Sequence, residues 1–557
     1  MKRFFLLTAL VCGLVLSVGG QKSSDQLEPA HSPTGAVSAA ATTNTYALTG
    51  WSELGMHCID GKDYSVFSVL PPFNVVRAQL VQKSEPPVLI TTGVNVTYQA
   101  TADATGSINT SSASKTNFWD NVRALFLNSV APDTGLAGYK TQSTVPQQMT
   151  YNTLEGYWEA VGIPTVPYDD KGVTNTYPMV KLVATDAKGN VLATASIVLS
   201  ISDELTCNTC HASNSDVNAK PAAGWVNNSD LAKDTKLNIL RKHDDRWPIA
   251  QYLSQLQTNG YTYQSSLYNT AVAGTPILCA ACHSDNALSA PGITGIKALT
   301  TDMHTLHGRQ LLLSNNKTLD VNSSSNDLNS CYLCHPGPKT KCKRGAMNTQ
   351  LCSACHGNLT NVGVATRTGW LDEPTCQMCH NNSLRYTSAF TSKGQYRQTK
   401  DLTFASNANV PQTGKMLYRY STGHGAVFCS GCHGSPHAEF PSLQANDNVL
   451  PIALQGYAAK ITECTACHSS LGVSSTGGPH GVHTLGQAWV DQGGHRSYVD
   501  SYGYQGCAYC HGSKYNGSAL SLSKIARTFT VEDGQQKTFA ANHQFTCYDC
   551  HNGPNGG

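Results

Sequence analysis

The sequence predicts a two-part fold: a small N-terminal β-sandwich-like domain, then a longer segment of short helices and many loops with little regular structure. Three observations lead there. Strand-like runs separated by turns crowd residues 45–203. Beyond Leu205, Gly, Ser, Asn and Pro are frequent and apolar periodicity is weak. Eighteen of the 21 cysteines fall into that second part in one repeated spacing.

In the first part, Val75 to Val81, Val88 to Ala100, Met179 to Thr185 and Val191 to Ile201 are rich in β-branched and apolar residues, the composition of strands. Asp186-Ala187-Lys188-Gly189-Asn190 joins the last two as a hairpin turn. Short strands with turns between them predict a sandwich. Lys115 to Phe126 reads as one helix, and Ile296 to Leu313 in the second part as another. Residues 21–44 read as a linker and 204–557 as the second domain. Residues 1–20 read as a secretory signal: Met1-Lys2-Arg3 is basic, Phe4 to Val18 is apolar but too short to span a bilayer, and Ser17, Gly19 and Gly20 suit cleavage near Gly20. An uncleaved anchor is the alternative. Cys12 lacks small residues before it in Ala9-Leu10-Val11, which argues against a lipid anchor. No other stretch is long and apolar enough to cross a membrane, so the mature chain is not expected to span one. Charged residues make up only 13% and net charge is +2, with no clustered basic footprint for nucleic acid.

The 18 cysteines form nine Cys-x-x-Cys-His units: Cys207, Cys210 and His211; Cys279, Cys282 and His283; Cys331, Cys334 and His335; Cys352, Cys355 and His356; Cys376, Cys379 and His380; Cys429, Cys432 and His433; Cys464, Cys467 and His468; Cys507, Cys510 and His511; Cys547, Cys550 and His551. This is the attachment signature of a c-type haem. Two thiols three positions apart form thioethers on one edge of the porphyrin, and the next residue, His, ligates iron from below. Zinc pairs would not need a His after every pair and could not match nine ways. A thioredoxin-like site occurs once, not nine times. Nine haem c groups are therefore expected, and their flat apolar rings replace the core that side chains here do not provide.

Each iron takes a second axial ligand or leaves an open position. Of the 20 histidines, nine are in motifs and eleven remain. His31 lies in the linker and reads as solvated. The other ten are candidate ligands for nine irons: His57, His243, His304, His307, His424, His437, His480, His483, His495 and His543. One is surplus. His304 and His307, like His480 and His483, are three apart, so each pair can share a helix face and serve two neighbouring irons. Met56, Met303, Met347 and Met416 are substitutes. Most or all haems are read as bis-His and low in potential. Outside the motifs and the signal only Cys58 and Cys342 remain, and in an exported chain they most simply form one disulfide; free thiols, or Cys58 beside a haem near His57, are the alternatives.

GWSELGMHCIDGKDYSVFSVLPP, YWEAVGIPTVPYDD, CYLCHPGPKTKCKRGAM, WLDEPTCQMCH, CHGSPHAEFPS and GCAYCHGSKYNGSALS resemble the large multihaem cytochromes of dissimilatory metal-reducing bacteria, the geobacter-like outer-surface group. The resemblance runs over most of the chain from Trp51. It implies electron transfer at or beyond the outer membrane, with other multihaem cytochromes and extracellular metal oxides as partners. It places the protein outside the cell or on its outer surface, with the periplasm second. An electron carrier needs no side-chain catalysis, so no catalytic residue is expected. Two alternatives stay open: a multihaem reductase with one open iron, and a subunit of a conductive cytochrome filament formed by self-association.

Overall fold

The computed structural model describes residues 45–309, 319, 331–337, 339–369, 373–374, 417–422, 424–469, 486–491, 494–504, 507, 511, 514–517, 521, 523, 525–531 and 534–554. The signal segment, the linker with His31, and Met416 lie outside them. All described residues fall within one compact unit, Asn44–Gly557.

The strand-rich part holds β1 (Tyr46–Ser52), β2 (His57–Cys58), β3 (Phe67–Ser68), β4 (Phe73–Gln82), β5 (Val88–Ile90), β6 (Val94–Thr101), α1 (Phe118–Phe126), β7 (Gln147–Gln148), β8 (Thr150–Asn152), β9 (Tyr157–Pro164), β10 (Met179–Asp186), β11 (Val191–Val198) and β12 (Ile201–Ser202). One sheet has the order β1-β4-β9-β8 with β5 beside β4, and the other β11-β10-β6-β7. Their inner faces share one core that includes Leu48, Val76, Leu80, Tyr98, Ile163, Val180, Leu182 and Ile197. Two antiparallel sheets packed face to face make the expected sandwich.

The predicted run from Val88 to Ala100 is two strands, because Gly93 at φ 74° turns the chain between them. The run from Val191 to Ile201 is broken after Val198, and β12 leaves to pair in parallel with β2. The hairpin at 186–190 forms as expected: Asp186 Oδ1 accepts from the backbone N–H of Lys188 and Asn190 at 2.9 and 2.8 Å, an Asx-type turn. The first helix starts at Phe118 rather than Lys115.

β1 and β4 lack the alternating burial of an ordinary sandwich strand. All but the end residues of β4, and all of β1 after Tyr46, are buried. β6 and β10 do alternate. A strand buried on both faces needs cover on both, and the motif-bearing part provides it. Trp51 stacks on Phe428 with ring centres 5.5 Å apart, Thr49 Oγ1 donates to Gly431 O at 2.7 Å, and Gln79 Oε1 accepts from Phe428 N–H at 3.0 Å. Gly55 sits so close to the following loop that a Cβ would lie 1.9 Å from Pro436 O, so only glycine fits.

The motif-bearing part has few regular elements: α2 (Asn208–His211), α3 (Leu231–Arg246), α4 (Leu253–Thr258), α5 (Leu267–Val272), β13 (Ile277–Leu278), α6 (Leu299–Gly308), then helices of four to eight residues. α6 covers the centre of the predicted Ile296–Leu313 helix, whose last residues are outside the description. β13 pairs in parallel with β3. α1 packs into a second core with Leu237, Leu240, Leu256, Leu267 and Ile277. The two parts are thus joined by shared cores and strand pairs.

Cys58 and Cys342 are free thiols, so the expected disulfide is not formed. They lie within electrostatic reach of one another, and burial pushes the Cys342 thiol up to about 11 and Cys58 higher still. Hydrogen bonds join the two segments instead: Ser202 Oγ to Thr340 Oγ1 at 3.2 Å, and the Tyr177 hydroxyl to Thr340 O.

Candidate haem sites

Six of the motif backbones form one helical turn. The His N–H donates to the carbonyl of the first Cys in Cys207–His211 (2.9 Å), Cys279–His283 (3.0 Å), Cys331–His335 (2.8 Å) and Cys547–His551 (3.3 Å). Cys352–His356 and Cys429–His433 are complete short helices. Positions i, i+3 and i+4 share a helix face, so this turn presents two thiols and an imidazole to one side. Gly357 and Gly434, at φ 76° and 95°, stop the helix directly after the His, where the positive φ favours glycine.

Second histidines stand opposite the motif histidines. His211 faces His307 with ring centres 6.3 Å apart, His283 faces His243 at 6.5 Å, His335 faces His304 at 6.2 Å, His356 faces His437 at 6.1 Å, and His551 faces His495 at 6.1 Å. Two imidazoles sharing one metal, with bonds of about 2.0 Å and about 1.15 Å from each nitrogen to its ring centre, stand about 6.3 Å apart. The donor sets therefore fit an iron between each pair. The ring planes differ: 77°, 88° and 82° for the His211, His283 and His356 pairs, but 15° and 3° for those of His335 and His551.

The second nitrogen supports the same reading. Nδ1 lies near a backbone carbonyl in His283 (Lys297 O, 2.9 Å), His304 (Thr300 O, 2.7 Å), His307 (Met303 O, 2.6 Å), His495 (Trp489 O, 3.1 Å) and His511 (Phe545 O, 2.8 Å). An Nδ1–H held that way leaves the Nε2 lone pair to ligate. Burial lowers His211, His304, His356 and His437 to about 4, holding the imidazoles in the neutral form that binds metal.

One apolar-walled cavity of about 3780 Å³ connects these positions. Cysteines from the motifs beginning at Cys207, Cys279, Cys331, Cys352, Cys429, Cys464, Cys507 and Cys547 line it. The fifth motif (Cys376, Cys379, His380), Cys510 and the pair His480 and His483 lie outside the described residues, as do the side chains of Cys464 and His424. Motifs distant in sequence are neighbours here. Thr206, just before the first, donates to Leu333 O in the third at 2.5 Å, and Ile461 N–H, just before the seventh, donates to Cys432 O in the sixth at 2.8 Å.

His57 also lines the cavity. It is half-buried with its Nε2 enclosed, no described group hydrogen-bonds that nitrogen, and desolvation lowers it to about 4. Beside it lies a buried charge network that sequence reasoning missed: Glu53 Oε1 accepts from Arg77 and Arg419, each at 3.0 Å, and Glu373 accepts from Arg419 at 2.9 Å. Its two halves, Glu53 with Arg77 and Glu373 with Arg419, come from parts of the chain hundreds of residues apart, so no local pattern could reveal it. His543 has a different partner: its Nε2 is 2.8 Å from Asp549 Oδ2, among Phe539 and Phe545. Met56 is buried, whereas Met303 and Met347 are exposed.

No curated protein and no solved structure matches the chain. Residues 344–556, which contain the last six motifs, match the family described as outer membrane cytochrome MtrC/MtrF-like, domains II/IV. That match supports the cytochrome c, multihaem and electron-transfer reading, and over this stretch the chain is similar to the outer-surface cytochromes of metal-reducing bacteria.

Proposed function

We propose that this chain is an exported electron carrier of extracellular or periplasmic respiration, with nine covalently attached haem c groups, mostly bis-His. Its redox partners are other multihaem cytochromes and metal oxides, and it resembles the geobacter-like outer-surface group. The nine cysteine pairs would hold the rings. His211 with His307, His283 with His243, His335 with His304, His356 with His437 and His551 with His495 would each clamp one iron, and His57 would close another from the strand-rich part. Bound haem supplies the one-electron chemistry. The residues hold each ring from two sides, exclude water and keep the imidazoles neutral.

One observation carries this reading: five motif histidines each face a non-motif histidine at 6.1–6.5 Å, the spacing one shared metal requires. An iron closed on both sides has no position for a small substrate, which favours electron carriage over reduction chemistry.

The test is intact mass for the haem count, with low-temperature electron paramagnetic resonance of the oxidised protein. Parallel imidazole planes split the iron π orbitals and give rhombic low-spin signals. Perpendicular planes leave them nearly degenerate and give one large g value. Both low-spin types are expected, accounting for all nine irons. A dominant high-spin signal, or fewer than nine haems, refutes the proposal.

A further inference from the structure

The motif histidines differ in what their Nδ1 meets. His283 and His511 meet backbone carbonyls at 2.9 and 2.8 Å, with the Asp302 carboxylate farther from His283 Nδ1 at 3.4 Å, and His551 meets Gly553 O. His211 Nδ1 is buried with no described acceptor. His468, in the seventh motif, meets a carboxylate instead: its Nδ1 is 2.9 Å from Glu85 Oε2.

Glu85 comes from the strand-rich part, 383 residues away in sequence. It is held in place independently of that contact. β4 ends at Gln82; Ser84 then forms a parallel bridge with His468 and accepts from Ser469 N–H at 3.3 Å. Ser84 Oγ donates to Pro86 O at 2.7 Å. Backbone contacts therefore present the carboxylate to the ring.

A carboxylate acceptor makes a stronger, charge-assisted hydrogen bond than a carbonyl. It pulls on the Nδ1 proton and raises the basicity of Nε2, the atom left to ligate. A more basic axial nitrogen stabilises ferric over ferrous iron. We propose that Glu85 is a potential-determining residue that makes the haem on His468 harder to reduce than those whose histidines donate to backbone carbonyls. This rests on the multihaem reading above. It gives the strand-rich part a role beyond packing, since that part sets the energy of one step along the chain of haems.

The experiment compares full-length secreted holoprotein with E85Q and E85D by optically monitored redox titration. Gln is isosteric and its amide oxygen can still accept from Nδ1, so E85Q keeps the contact and removes the charge. The expected result is one component moved to higher potential, by about a tenfold change in its oxidised-to-reduced ratio, or about 59 mV for one electron. E85D keeps the charge on a shorter arm and should move the same component the same way by less. Full haem content with superimposable titrations of all three proteins overturns the inference while leaving the multihaem reading intact. A Cys464–Cys467 peptide without haem in the mass spectrum overturns both.

Discussion

Replacing His307 with Ala should open one iron and spare its neighbour three residues away. His307 and His304 lie on α6 and face His211 and His335, the first and third motifs, at 6.3 and 6.2 Å. On the proposed pairing one helical turn would close two irons, and its geometry would set how far apart they stand. Ala leaves a methyl group where the imidazole was, far short of the span a shared metal requires. The fold should survive. The substitution removes the Nδ1 contact to Met303 O at 2.6 Å, worth about 1 kcal/mol, and His-to-Ala in a helix returns roughly 0.5 kcal/mol through propensity. The assay is carbon monoxide binding to the reduced protein, read as the fraction of haem whose spectrum changes. One haem in nine should respond in H307A, one in nine in H304A, and two in nine in the double variant, because the two pairs share no ring. A fully haem-loaded H307A that binds no carbon monoxide refutes the pairing. So does one that opens both sites.

Three further outcomes follow from long-range contacts of the fold. Arg344 is 1% exposed, donates Nε and Nη2 to Asp447 at 2.6 and 2.9 Å, and reaches Gly55 O. R344M leaves a buried carboxylate unpaired and should cost about 3–5 kcal/mol by denaturant unfolding. Trp51→Ala empties the stack on Phe428 and should cost about 3–5 kcal/mol, read in the same way. Burial raises the carboxyl of Glu204, but hydrogen bonds from Thr340, Lys339 and Gly337 more than offset it and hold it below its ordinary value. A depressed carboxyl contributes stability that is present above its unfolded value, about 4.3, and lost as pH falls through the folded one. Wild type should lose stability faster than E204Q below about pH 4, measured by thermal melts across pH.

The strand-rich part lends more than a platform. β1 and β4 are covered on both faces, one by the sandwich core and the other by the segment entering the sixth motif. Removing that segment would expose Trp51 and Tyr157 as well as the motif. Sandwich and haem-bearing loops are therefore expected to fold as partners, the first giving the second the packing surface that its own sequence lacks.

Local pattern carried some of this and not the rest. The 186–190 turn was legible because Asp, Gly and Asn act within five residues. The split of Val88–Ala100 at Gly93 was not, since an apolar run reads the same whether continuous or bent. β1 was missed because both its faces are buried and it shows no alternation. His437 follows the sixth motif in sequence yet faces His356 of the fourth. His543 precedes the ninth motif yet meets Asp549.

The sequence by itself determined the number and place of the Cys-x-x-Cys-His units and the surplus of histidines, because both depend on covalent spacing within five residues. Only the tertiary structure decided which histidine faces which, that α6 serves two motifs, and that Glu85 reaches His468. Those pairings join residues from 31 to 383 positions apart, and at such separations the sequence names the partners but only packing brings them together.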